Sequence, residues 1–201
     1  MTYAYIRVSS NSQNIDRQLL EIEKYDISSV KGSVVLKDFT KDKFKMNLTS
    51  NKVNVIGILP GGVVTEKLTA EVNLDENGEF VWSPDDDIVK TAVLERHHGT
   101  GSVACGFLKG YGIKAGAVAL SIAHDSHNII VVGVNDDEME CAVNELVAQE
   151  GGIVLVKDGK VIESMPMPIA GLMSDQSGEW VDEKLTAIHE KAYAELGICG
   201  E

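Results

Sequence analysis

Four of the five histidines lie between His97 and His127, in two short clusters: Glu95-Arg96-His97-His98-Gly99-Thr100-Gly101 and His124-Asp125-Ser126-His127-Asn128. Imidazole exchanges protons near neutral pH and ligates metals, and a neighbouring carboxylate such as Glu95 or Asp125 can fix its tautomer or raise its basicity. Proton transfer or metal binding is therefore the chemistry these residue types offer. A plainer use is also open: Asp, Ser and Asn in turns satisfy loop backbone groups, and a solvated histidine need do nothing further. The i, i+3 spacing of His124 and His127 would point both rings one way on a helix but fixes nothing in a turn. The chain alone is thus expected to hold no metal and no other cofactor.

Other candidates are weaker. Cys105 would be a nucleophile only beside a histidine, and its apolar surroundings favour an inert buried thiol. The glycines of residues 106–116 (GFLKGYGIKAG) match neither the P-loop pattern nor GxGxxG, so they read as loop and turn. Met165-Pro166-Met167-Pro168 and residues 169–173 could line a pocket with thioethers, but core packing is their expected use.

Both histidine clusters need apolar scaffolding, and the sequence supplies it. Residues 88–95 read as a strand ending in the Gly-rich turn, and residues 115–123 and 129–134 as strands on either side of the insert 124–128. Earlier, VNVIGIL, KLTAEVNL and EFVW read as strands, with the last two joined as a hairpin at Glu76-Asn77-Gly78. Residues 136–150 read as a helix: Asn135 can cap it, acids fill its first turn, Met139, Val143, Leu146 and Val147 share a face, and Gly151-Gly152 ends it. Residues 153–156 and 161–163 form a hairpin around Lys157-Asp158-Gly159-Lys160. A last amphipathic helix, residues 179–196, runs through Val181, Leu185, Ile188 and Tyr193. At the start, residues 3–8 and 12–25 read as a strand and a helix. The expected fold is mixed α/β (α+β): a βα fragment over residues 1–27, a junction and first strand over 28–51, and a predominantly β-sheet domain over 52–201 flanked by two amphipathic helices, with no TIM barrel.

Bulk properties narrow the class. At 201 residues and 44% hydrophobic, the chain has the composition of a folded globular protein. A formal charge of -13 and a pI near 4.8 disfavour nucleic acid, whose affinity comes from clustered Lys and Arg. Three cysteines without ligand spacing argue against a disulfide framework or structural zinc and fit a reducing cytoplasm. No leader or membrane-spanning run is read from the sequence.

The stretch VLERHHGTGSVACGFLKGYGIKAGAVALSIAHDSHNIIVVGVNDDEMECAVNEL, followed by GGIVLVKDGKVIESMPMPIAGLMSD, resembles the C-terminal domain of the microbial adenine deaminases, and the likeness extends over about residues 34–197. It implies membership of the amidohydrolase superfamily and a part in hydrolysing adenine to hypoxanthine and ammonia in purine salvage. In that family a manganese or iron ion in an upstream (β/α)₈ barrel activates the attacking water. Before residue 52 there is neither an HxH strand nor room for a barrel of about 250 residues. The expectation is a domain inactive alone, which meets adenine or a related purine only when a barrel partner is supplied; homo-oligomerisation and a purely non-catalytic interaction role stay open. The resemblance further implies that Glu95, His97, His98, His124, Asp125 and His127 face the barrel mouth and shape or close the purine site.

The opening Tyr5-Ile6-Arg7-Val8-Ser9, with Gln13 and Asp16-Arg17-Gln18, resembles the first βα unit of the serine recombinases. That likeness implies attack by Ser9 on a DNA phosphodiester with Arg7 stabilising the phosphate. Without the basic setting that such a transition state requires, Ser9 and Arg7 are expected to be inert.

Overall fold

The structure, a computed structural model, describes residues 34, 36, 39–59, 61 and 64–198. The expected βα unit with Arg7 and Ser9 lies outside the described residues. In chain order the elements are β1 (Lys52–Ile58), β2 (Thr65–Glu71), β3 (Asn73–Leu74), β4 (Phe80–Val81), β5 (Ile88–Leu94), β6 (Val103–Lys109), β7 (Ala117–Leu120), β8 (Ile129–Gly133), α1 (Asp136–Ala148), β9 (Gly152–Lys157), β10 (Lys160–Pro166) and α2 (Gly178–Leu196).

Alternation along β5 explains the layering. Ile88, Lys90, Ala92 and Leu94 point to one face and Val89, Thr91 and Val93 to the other, and all but Val93 are buried. A strand buried on both sides belongs at the centre of a sheet with a layer on each face. It sits fifth in an eight-stranded sheet ordered β10-β9-β7-β8-β5-β6-β1-β2, in which only the β1–β6 pairing is parallel. The short β3–β4 hairpin stands apart, its turn closed by the Asp75 carboxylate, which accepts from the Asn77 and Glu79 amides. The sheet does not close into a barrel.

On the first face, Ala92, Leu94, Ala119, Val131 and Val154 meet Met139, Ala142, Val143 and Leu146 of α1. Leu36, Phe39 and Phe44 are buried in the same cluster. On the second face, Val89, Val118, Val132, Leu155 and Met165 meet Ile188 and Leu196 of α2. Both helices start on side-chain caps, Asn135 Oδ1 accepting from the Glu138 amide at 2.9 Å and Ser177 Oγ from the Trp180 amide at 3.3 Å, and α2 stops at Gly197 in the left-handed region.

Two details depart from the sequence reading. Residues 103–109, partly read as loop glycines, form β6, because Gly106 sits opposite Thr91 inside the ladder while the actual turn falls at Gly110 and Gly112, both at positive φ. Cys105 lies in that strand with its Sγ 3.8 Å from the Lys43 carbonyl, and burial raises its thiol. Tyr193, expected on the apolar face of α2, is 69% exposed, and the face is carried instead by Trp180, Leu185, Ile188, Ala192 and Leu196.

Candidate functional site

β5 ends at Leu94, and the Glu95 amide donates to the Ser102 carbonyl at 3.0 Å, closing the base of the loop into β6. The Glu95 carboxylate turns into this loop. Its Oε1 accepts from the amides of His97 at 2.5 Å and His98 at 2.8 Å, and its Oε2 from the amide and hydroxyl of Thr100 at 3.1 and 3.0 Å. Burial alone would raise this carboxyl, but the donors from Thr100, His98 and His97 more than offset it and hold it at about 2. With its lone pairs committed in this way, Glu95 braces the loop and is a poor proton acceptor. His98 Nδ1 stands 3.3 Å from Oε1 with the ring otherwise in solvent.

The insert between β7 and β8 folds back so that the His127 amide donates to the Ala123 carbonyl at 2.6 Å. His97 Nε2 lies 3.0 Å from the Ser126 carbonyl, joining the two histidine clusters. His124 and Asp125 are both exposed and touch through Nδ1 and Oδ1, and the rings of His124 and His127 meet edge-on at 5.3 Å. His127 Nδ1 and Asn128 Oδ1 are shielded from solvent and meet no protein partner.

The residue that organises both loops is Arg96, which is 1% exposed. Its Nε donates to the His127 carbonyl at 2.5 Å and its Nη2 to the Ala170 carbonyl at 2.9 Å, so it clamps the second histidine loop and the 169–173 turn to the end of β5. Gly171 leaves room for it: a Cβ there would stand 2.7 Å from Nη1. Ser121 Oγ adds a second tie, donating to the Gly171 carbonyl at 2.5 Å while accepting from the Gly152 amide at 2.8 Å. Burial pulls the Arg96 guanidinium down from its usual value, yet an arginine so bonded stays charged at neutral pH.

The structure therefore gathers Glu95, His97, His98, His124, Asp125 and His127 into one polar rim at one end of the sheet, with His98, His124 and Asp125 presented to solvent. Sequence reasoning saw Arg96 only as part of a cluster and passed over Ser121. The available signal was an arginine two residues past the end of an apolar strand, together with a glycine at 171. Met165 and Met167 are core residues, and residues 169–173 form the clamped turn rather than a pocket wall. The rim does not fit the manganese or iron implied by resemblance: His97 faces a backbone carbonyl and His98 a committed carboxylate, and among the described residues no three His, Cys, Asp or Glu side chains gather to hold an ion.

The family model of the adenine deaminase C-terminal domain matches residues 62–201. The chain is similar to a protein named adenine deaminase 2 from Desulfotalea psychrophila, 59% identical over 182 residues that make up 90% of this chain and 32% of that relative. It is 49% identical to an adenine deaminase from Ligilactobacillus salivarius over 178 residues, 89% of this chain and 31% of the other. An adenine deaminase 2 from Carboxydothermus hydrogenoformans is 44% identical over 173 residues, 86% and 30% of the two chains. The chain spans about a third of the length of these relatives.

Proposed function

The chain belongs to the adenine deaminase C-terminal domain family, and from that premise we propose that it serves the hydrolytic deamination of adenine to hypoxanthine as an accessory domain, whose polar rim borders a purine site completed by a metal-bearing barrel. The observation that carries this reading is the joining of two histidine loops, through His97 to Ser126 and through buried Arg96, into one rim held by a rigid sheet. A manganese or iron ion would be held by the barrel and would activate the water there. What this chain contributes is recognition and closure. His98, His124 and Asp125 offer hydrogen-bond donors and acceptors toward the ring nitrogens and exocyclic amine of a purine, and Glu95 and Arg96 hold those side chains in place without touching the base. A preformed rim of this kind lowers the ordering cost of closing a site over its ligand.

No helix among the described residues is long and apolar enough to cross a membrane, and Cys105 and Cys141 are free thiols. We propose a reducing, cytoplasmic setting from the cysteine usage alone.

The test is adenine deamination by the 201-residue chain with manganese added, alongside the intact Desulfotalea psychrophila relative. The chain alone is expected to be inactive. In the relative, alanine at the positions matching His98 and His124 is expected to raise KM for adenine about tenfold with less change in kcat, the pattern of lost ground-state binding. Turnover by the isolated chain at the relative's rate, or unaltered KM in both variants, would overturn the reading.

A further inference from the structure

The second face of the sheet is only half covered. α2 lies over β10 and β9, and Tyr111 and Ile113 reach down onto the Val89 and Val132 region. Beyond them, the register carries one cross-strand row over the middle of the sheet: Leu120 opposite Ile130, Ile130 opposite Val93, and Val93 opposite Ala104. Side chains directly opposite across a ladder share a face. Val93 is 38% exposed although Ala92 and Leu94, its neighbours on the strand, are fully buried, and Ala104 is exposed. Ile122, just past the end of β7, is also 38% exposed. Leu120 and Ile130 are half-buried, Ile130 against the cluster under α2, so the row opens toward Val93 and Ala104, and an apolar strip opening at the centre of an eight-stranded sheet rather than at its edge is suited to being covered. It runs straight into the site, with Val93 two residues before Glu95 and Ile122 two residues before His124.

Resting on the family reading above, we propose that this row, Leu120, Ile130, Val93 and Ala104 with Ile122 beside it, is the docking surface for the remaining two thirds of an adenine deaminase polypeptide. The relatives match this chain over only about 30% of their own length, so each carries further chain about twice as long as this one, long enough to supply a domain that covers the row. The first face is already closed by α1 and by Phe39 and Phe44, and the other half of the second face by α2. Both edge strands are studded with charge, Glu66, Lys67 and Glu71 on β2 and Lys160 and Glu163 on β10, which discourages strand addition. A second copy of this chain would bring another charge of -13 against the first, opposing self-association. A domain seated on the row would have the histidine rim along its border, where the two units together could enclose a ligand.

Hydroxyl-radical footprinting of two intact proteins tests this: the 201-residue chain, and the full Desulfotalea psychrophila relative, whose identity allows positions to be matched. Labelling at Val93 and Ile122, the exposed members of the row, is expected to fall at least fivefold in the relative compared with the chain, while the positions matching Tyr193 and Val161 label equally in both. In the relative, aspartate at the position matching Val93 is expected to restore labelling along the row. Should that variant fail to fold, glutamate at the position matching Ala104 decides the matter. Equal labelling of the row in both proteins overturns the proposal, as does protection of the row in the isolated chain through a dimer seen by sedimentation. Adenine KM in the relative's His98 and His124 counterparts is read separately. Protection of the row with unaltered KM would sink the polar-rim reading and leave the docking surface standing.

Discussion

Glu95 and Arg96 are neighbours in sequence with opposite charges and separate duties. The carboxylate is satisfied within its own loop, and the guanidinium passes under that loop to hold two others. For Glu95 the sign of the pH dependence follows from its donors. Its folded pKa of about 2 lies below the ordinary carboxylate value, so the unfolded chain binds a proton first as pH falls. Its contribution is therefore fully present above about pH 4.5 and is lost as pH drops toward 2. Urea unfolding of Glu95→Ala is expected to show a loss of about 1 kcal/mol at pH 6, because the loop amides that lose the carboxylate are exposed and turn to water. The gap between variant and parent should narrow by pH 3, and a gap that widened in acid would contradict the assigned direction. Arg96→Met removes the donors to the His127 and Ala170 carbonyls at a buried site and is expected to cost about 3 kcal/mol. Arg96→Lys should recover little of this, since one ammonium cannot span the two carbonyls reached by the planar fork. Recovery of the parent's unfolding midpoint by lysine would show that charge alone matters there.

At the scale of elements, most of the fold was legible because the strands and helices carry their own periodicity. α1 was readable from Asn135, the acidic first turn and the Met139, Val143, Leu146 stripe, and each of these does in the structure what its type suggested. β6 was harder to read because Gly106 and Cys105 hide a strand pattern that becomes decisive only when β5 and β1 lie on either side. The rim was half legible: two histidine clusters at strand ends could be seen, but their joining could not, since it depends on Arg96 reaching residues distant in sequence. The β9–β10 hairpin allows a paired test of backbone reasoning. Gly152 and Gly159 both have positive φ, but a Cβ at Gly152 would lie 1.9 Å from the Met165 carbonyl oxygen, whereas one at Gly159 would meet nothing within 4 Å. Gly159→Ala is expected to cost only the left-handed penalty of about 1 kcal/mol. Gly152→Ala must also displace a strand and should cost clearly more, so equal unfolding midpoints for the two variants would refute the clash.

For the whole molecule, the question is where the folded unit begins. Lys90, at the centre of the sheet and almost fully buried, donates from Nζ to Asp136 Oδ1 and Oδ2 at 2.8 and 3.0 Å and to the Phe44 carbonyl at 3.2 Å. One ammonium thus binds the middle strand, the start of α1 and the segment leading into β1. The same segment buries Leu36, Phe39 and Phe44, with the two phenylalanine rings 4.9 Å apart, and anchors at the rim through Lys43 Nζ, which donates to the Gly101 carbonyl at 3.0 Å. Leu36, Phe39 and Phe44 thus pack into the core of the sheet. Deleting residues 1–33 leaves all of these partners in place. Deleting residues 1–44 strips three core side chains and one ligand of a buried charge, and Phe44→Ala alone is expected to cost about 4 kcal/mol. The longer deletion should lose its cooperative thermal transition and bind a hydrophobic dye. If instead it melts like the parent, the segment is a tether outside the core, and the sheet domain begins at β1.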